Sequence, residues 1–153
     1  MLQDDTHATR WVNTGSEQLI VPLANAEAVT RAHPKADLLT QVTSMPLNGT
    51  PSRSMAYIFA PNGVDEKSGT PKLLSRFFFM KHDAIVEDPG TGSATANLGG
   101  WMLDAKRALP LEYGIEQGAM VGRPCHLGLR VDAQGNIFVS GRVIELGRGY
   151  VTI

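Results

Sequence analysis

The densest group of chemically capable side chains is the stretch EDPGTGSA, Glu87 to Ala94. It holds two carboxyl groups, two hydroxyls and two glycines, and it leads directly into a nearly all-apolar run. Beyond it, Ala94, Leu98, Trp101, Met102 and Ala105 fall at helical spacing, which predicts a helix over residues 93–107. The first turn of a helix carries unpaired backbone N–H groups and partial positive charge. Gly90 and Gly92 allow the backbone to come close to a ligand, and Thr91 and Ser93 add hydroxyls. An anion, most simply a carboxylate or phosphate, suits such a corner. A plainer reading stands beside this one: Thr91 or Ser93 caps the helix and the glycines only turn the chain. Spacing alone leaves both open.

Other site patterns do not fit. A phosphate loop needs GxxxxGK[ST], and no lysine follows these glycines. Thr95 stands where a dinucleotide fingerprint has its third glycine, and Ser93 lacks the trailing glycine of a nucleophile elbow. His7, His33, His82 and His126 have no metal-ligand spacing and read as surface or structural residues. The lone cysteine, Cys125, excludes an internal disulfide, fits a reducing compartment, and falls on the apolar face of an expected strand, where packing is the expected role.

The elements that position the corner are mostly strands. Residues 8–14, 19–23, 55–60, 73–80, 111–116, 125–131, 136–146 and 148–153 read as β. Residues 125–131 alternate strictly, as a half-buried strand does. Residues 26–32 suit a short helix, residues 36–43 suit a helix or a strand, and residues 46–54 and 61–71 are loops by composition. The helix after the corner is apolar on nearly all sides, so it is expected to be buried. Gly99 and Gly100 within it each cost roughly 1 kcal/mol relative to Ala, which points to close approach of a neighbouring backbone. Lys106 and Arg107 place positive charge at its C-terminal end. The fold expected is α+β: a mixed, mostly antiparallel sheet of about eight strands curled around one central helix.

Length and charge fit one domain over residues 1–153. The chain is 42% hydrophobic and 19% charged, as folded domains are, and its net charge of −1 gives no nucleic-acid footprint. No apolar run is long enough for a membrane helix, and the polar N-terminus reads as neither a signal nor a transit peptide, so the expected location is cytoplasmic.

With these parts assembled, the chain resembles the phenazine-biosynthesis isomerase family, the PhzF-like proteins, which share the diaminopimelate-epimerase fold. EDPGTGSA matches that family's E-D-P-x-T-G-S-A signature. QGAMVGRP, Gln117 to Pro124, matches a Q-G-x-x-x-G-R-P segment downstream, and TGSEQLIVPLANAEAV, Thr14 to Val29, is similar to the segment that opens the second half of such proteins. The GRG of residues 147–149 also fits. Those proteins have two similar lobes facing each other across a cleft, and this chain corresponds to the second. The resemblance implies that Gly92 and Ser93 hold a substrate carboxylate, that Gly90 and Thr91 shape the nest, and that Asp88 shuttles or positions a proton. Thr91 stands where thiol epimerases of the fold carry a cysteine, which disfavours a two-thiol mechanism. Gln117, Gly118, Gly122 and Arg123 match family positions, with Arg123 expected as an ion-pair or hydrogen-bond partner that supports the fold. No segment matches the first-lobe glutamate base.

The expected function is therefore half of a cofactor-independent isomerase acting on a small carboxylic acid, inactive alone. A non-catalytic anion-binding module and an oligomerising interaction domain are the alternatives. The expected partners are the small acid and either the missing first lobe or a second copy, as a homodimer, with no nucleic acid or membrane. In the first case the chain would be a gene fragment or one half of a split protein.

Overall fold

The computed structural model describes residues 8–43 and 54–152. Its strands are β1 (Arg10–Asn13), β2 (Glu17–Pro22), β3 (Met55–Val64), β4 (Pro71–Lys81), β5 (Ala84–Asp88), β6 (Leu111–Gln117), β7 (Cys125–Val131) and β8 (Ile137–Gly141). Its helices are α1 (Ala26–Arg31), α2 (Ala36–Thr43) and α3 (Gly92–Asp104), with a 3-10 turn at Ala119–Val121. The sheet runs β1-β2-β3-β4-β6-β7-β8, with β5 also paired to β4. The β2–β3 and β4–β6 pairs are parallel and the others antiparallel. A parallel neighbour needs a crossover. Here α1 and α2 lie in the connection between β2 and β3, while β5 and α3 lie in that between β4 and β6.

The apolar runs of β2, β3 and β4 follow from burial on two faces. Ile20, Tyr57, Phe59, Leu73 and Phe77 pack with Ala94, Leu98, Trp101 and Met102 of α3. Their neighbours Leu19, Ala56, Ile58, Ala60 and Phe78 point to the opposite face and pack with Val29 of α1 and Leu39 of α2. In β7 one face is solvated, so Leu129 and Val131 are buried while His126 and Arg130 are exposed. The sheet curls around α3, as its apolar surface requires. The paired glycines fit it between the outermost strands: a Cβ on Gly99 would lie 2.8 Å from Ile137 of β8, and one on Gly100 would lie 2.8 Å from Val12 of β1. The close approach is thus by side chains, not by backbone.

Several boundaries differ from the sequence reading. Residues 36–43 are helical, with Leu39 buried on the outer cluster. Pro61 lies inside β3, which continues to Val64 past an irregularity in its pairing with β4. Helix α3 ends at Asp104, and Lys106 takes φ 53°, so the two basic residues sit just beyond the helix. The return strand stops at Gly141, and residues 148–152, expected as a last strand, form none. An exposed segment follows β8, with Val143, Ile144, Leu146, Tyr150 and Val151 in solvent. Most of the loop expected at residues 46–54 lies outside the described residues, as do His7 and Ile153.

Candidate functional site

Strand β5 ends at Asp88, and α3 begins four residues later. Alternation along β5 sends its last two carboxyl groups to different tasks. Glu87 forms a two-pronged ion pair with Arg76, at 3.1 Å from Nε and 2.7 Å from Nη2. The same guanidinium donates through Nη1 to the carbonyls of Val29, Thr30 and Ala32, closing the C-terminal end of α1. Glu87 is therefore structural. Asp88 instead turns to the corner, where its Oδ2 accepts a hydrogen bond of 2.5 Å from the Thr91 hydroxyl.

Thr91 occupies the N-cap position, yet its side chain caps nothing in the helix. The plain capping reading therefore does not account for it. Its backbone amide is consumed by Gln117 Oε1 at 3.2 Å. Gln117 Nε2 donates to the Asp88 carbonyl at 2.7 Å and to Thr91 Oγ1 at 2.9 Å. With its oxygen occupied by that donor, the Thr91 hydroxyl has its proton to give, and it gives it to Asp88. The QG and EDP motifs, far apart in sequence, are thus one clamp. Gly118 seals it: at φ +80°, a Cβ there would lie 2.5 Å from the Pro89 carbonyl and 2.3 Å from that of Arg123. Arg123 supports the fold through its backbone rather than its side chain. Its side chain is exposed with no partner among the described residues, and its contribution is a backbone bond to Gly118 at 3.0 Å.

The glycines also separate in role. A Cβ on Gly90 would meet Cys125 Sγ at 2.9 Å, so Gly90 makes room for β7, and Cys125, remote in sequence, lies against the corner. A Cβ on Gly92 would meet nothing within 4 Å. Gly92 and Ser93 are exposed, and their amides, at the first two positions of α3, have no partner among the described residues. Of the five predicted site residues, Gly92 and Ser93 offer open donors, Asp88 a partly buried carboxyl group beside them, and Thr91 and Gly90 the frame.

Three positions were not singled out by the sequence reading. Ser93 Oγ receives a 3.1 Å hydrogen bond from Gln18 Nε2, and Gln18 Oε1 receives one of 2.8 Å from Asn97 Nδ2. Asn97 also bonds Thr14 and Ser16 in the β1–β2 turn, so this turn is fastened to the helix that carries Ser93. The available signal was Asn97 itself, a polar residue in a helix apolar all round. Beneath the corner, burial pushes the Tyr57 phenol up to about 12, with the nearby Ser75 and Thr95 hydroxyls acting weakly the other way.

The corner is a shelf open to solvent. A cavity of about 370 Å³ lies elsewhere, around the C-terminal half of α3, lined by Phe59, Leu73, Trp101, Met102, Arg107 and Tyr113 among others. Ser93 and Trp101 are eight positions apart on the helix, or about 12 Å of rise. No cluster of three or more metal-ligating side chains occurs among the described residues, and none of their helices is long and apolar enough to cross a membrane.

Comparison with known proteins gives concordant matches. The sequence profile of phenazine biosynthesis-like proteins (PhzC-PhzF) matches residues 2–146. The chain is 36% identical over 148 residues to a protein of Pasteurella multocida named as an uncharacterized isomerase, covering 96% of this chain and 45% of that protein. It is 25% identical over 141 residues to another so named from Mesorhizobium japonicum, covering 91% and 45%. Among solved structures it superposes on a predicted epimerase of Pseudomonas aeruginosa with TM-score 0.64 and 26% identity, covering 96% of this chain and 46% of that one. A PhzF-family phenazine biosynthesis protein of Bacillus anthracis shares the fold at TM-score 0.61 and 20% identity, covering 88% and 44%. The chain spans less than half the length of each of these proteins.

Proposed function

The chain belongs to the phenazine biosynthesis-like (PhzC-PhzF) family, and from that premise we propose that it is the carboxylate-holding lobe of an isomerase that moves a proton on a small organic acid. The observation that carries this reading is the open pair of amides at Gly92 and Ser93 beside the Asp88 carboxyl group, which is held by Thr91 and braced through Thr91 by Gln117. A substrate carboxylate on the two amides would be partly neutralised by the helix terminus. That stabilises negative charge developing on the adjacent carbon as its proton leaves. Asp88, held at Oδ2 by Thr91, is placed to position or relay that proton. The other wall of the cleft and the base that starts the reaction come, in this reading, from a second lobe. Closure by that lobe would also exclude water from the shelf. The names of the Pasteurella and Mesorhizobium proteins as isomerases support the reaction class.

In deuterium oxide the chain alone is expected to leave the C–H bonds of small carboxylic acids unexchanged. Isotope incorporation catalysed by the purified chain would overturn the half-site reading.

A second reading is favoured by the exposed segment after β8. Val143, Ile144, Leu146, Tyr150 and Val151 put apolar surface into water, and such surface drives association. Self-association through this segment would give a homodimer. Sedimentation at tens of micromolar, where weak lobe interfaces assemble, should show a species heavier than the monomer, and a single monomeric boundary would count against it.

A further inference from the structure

Resting on the carboxylate-holding role given to the corner, we infer that Gln18 and Asn97 are positioning residues. They turn the Ser93 hydroxyl proton away from Gln18, so that it can join the open amides of Gly92 and Ser93 as a third donor to an accepting ligand group.

The direction of each bond follows from two backbone groups whose polarity is not free. The Thr14 amide can only donate, so the Asn97 atom 2.8 Å from it is Oδ1. The Ser16 carbonyl can only accept, so the Asn97 atom 2.6 Å from it is Nδ2. Both ends of the Asn97 amide are thereby pinned. Its Nδ2 also donates to Gln18 Oε1 at 2.8 Å, which leaves Gln18 Nε2 facing Ser93 Oγ at 3.1 Å. Nε2 donates, so the Ser93 oxygen accepts and its own proton turns elsewhere. No described residue receives that proton, and Ser93 is exposed on the side where the amides of Gly92 and Ser93 are open.

Burial makes the order of this chain persistent. Asn97 is 0% exposed and Gln18 2%, so water does not compete for their amides. Turning the Gln18 amide over would face its N–H donors against those of Asn97 and strand a buried polar group, at about 1–3 kcal/mol per group. A serine hydroxyl in solvent both donates and accepts. Here Gln18 takes one of its two accepting positions and keeps its proton from pointing into the relay. A carboxylate or enolate oxygen meets three donors, whereas a group that must donate finds one of the two accepting positions of Ser93 already taken. This gives a reason for Asn97 in the middle of a buried helix, and for the turn at Thr14 and Ser16 being bonded to it.

The test is a double-mutant cycle with acetate as the probe, followed on the amide signals of Gly92 and Ser93 in the full chain. Ser93→Ala is expected to weaken acetate binding roughly tenfold, as loss of a hydrogen bond to a charged group does. Gln18→Met is expected to weaken it by roughly threefold, and to add nothing once Ser93 is alanine. A Gln18→Met effect that persists in full in the Ser93→Ala background overturns the relay. A second readout needs no ligand. Ser93→Ala, a change at an exposed position, should move one of the two Gln18 side-chain amide proton signals upfield. Unmoved Gln18 signals overturn the relay whatever acetate does. Moved Gln18 signals with no acetate response at the corner support the orientation and overturn instead the reading of the corner as a carboxylate holder.

Discussion

Replacing Gln117 by leucine removes the clamp between the two motifs while keeping nearly the same volume. Three hydrogen bonds disappear: from Thr91 N at 3.2 Å, to the Asp88 carbonyl at 2.7 Å and to Thr91 Oγ1 at 2.9 Å. Gln117 is 1% exposed and Thr91 8%, so the groups left behind are poorly reached by water. At about 1 kcal/mol net for each bond, the loss comes to about 3 kcal/mol. For a chain of this size that corresponds to a fall in Tm of roughly 6–12 °C. Urea denaturation should show a lower midpoint with an unchanged m-value, since the folded surface is nearly the same. The amide signals of residues 88–93 should shift in the folded variant. Gln117→Glu preserves an acceptor for Thr91 but sets an oxygen against the Asp88 carbonyl and introduces charge into a buried position, so it should be at least as damaging at neutral pH. A leucine variant within roughly 0.5 kcal/mol of the parent, the range of ordinary surface changes, would refute the claim that Gln117 holds the corner together.

Three further outcomes follow from the same geometry. Gly118→Ala should cost more than roughly 3 kcal/mol in urea denaturation, because a Cβ at φ +80° meets backbone oxygens at 2.3 and 2.5 Å that cannot rotate away. Arg76→Met should cost about 3–5 kcal/mol by leaving the buried Glu87 carboxylate unpaired, and adding Glu87→Leu should recover part of that loss. Tyr57 ties stability to alkaline pH: its phenol is held at about 12 against an ordinary 10.0, so the folded state keeps a proton that the unfolded chain releases. Its contribution is complete below pH 10 and is lost as pH rises toward about 12, at up to about 1.4 kcal/mol per pH unit. Tyr57→Phe should flatten that alkaline fall relative to the parent protein, and equal slopes in the two proteins would contradict it.

Much of this architecture was legible in the sequence because its causes are local. Apolar runs marked β2, β3 and β4, alternation marked β7, and the apolar stripe of residues 94–105 marked a buried helix. The corner could be read for the same reason, as acid, proline, glycines and hydroxyls at a strand-to-helix junction. What escaped was set by distant partners. Nothing near Asp88 announces that Gln117 holds its carbonyl, nor that Cys125 fills the space Gly90 leaves. Composition does not distinguish the adjacent carboxyl groups of Glu87 and Asp88, whose tasks are set by Arg76 on one and by Thr91 on the other. Gln18 and Asn97 acquire meaning only when the curled sheet brings the β1–β2 turn onto α3. Residues 148–152 carry a strand-like pattern, but a strand needs a neighbour to pair with, and none of the described strands pairs with them.

The most direct measurement of the account is where a small carboxylate goes. Acetate titrated into isotopically labelled chain should shift the amides of Gly92 and Ser93 first and most, with Asp88 and Ala94 following. Saturation centred instead on Trp101, Met102 and Arg107, around the cavity at the other end of α3, would contradict it.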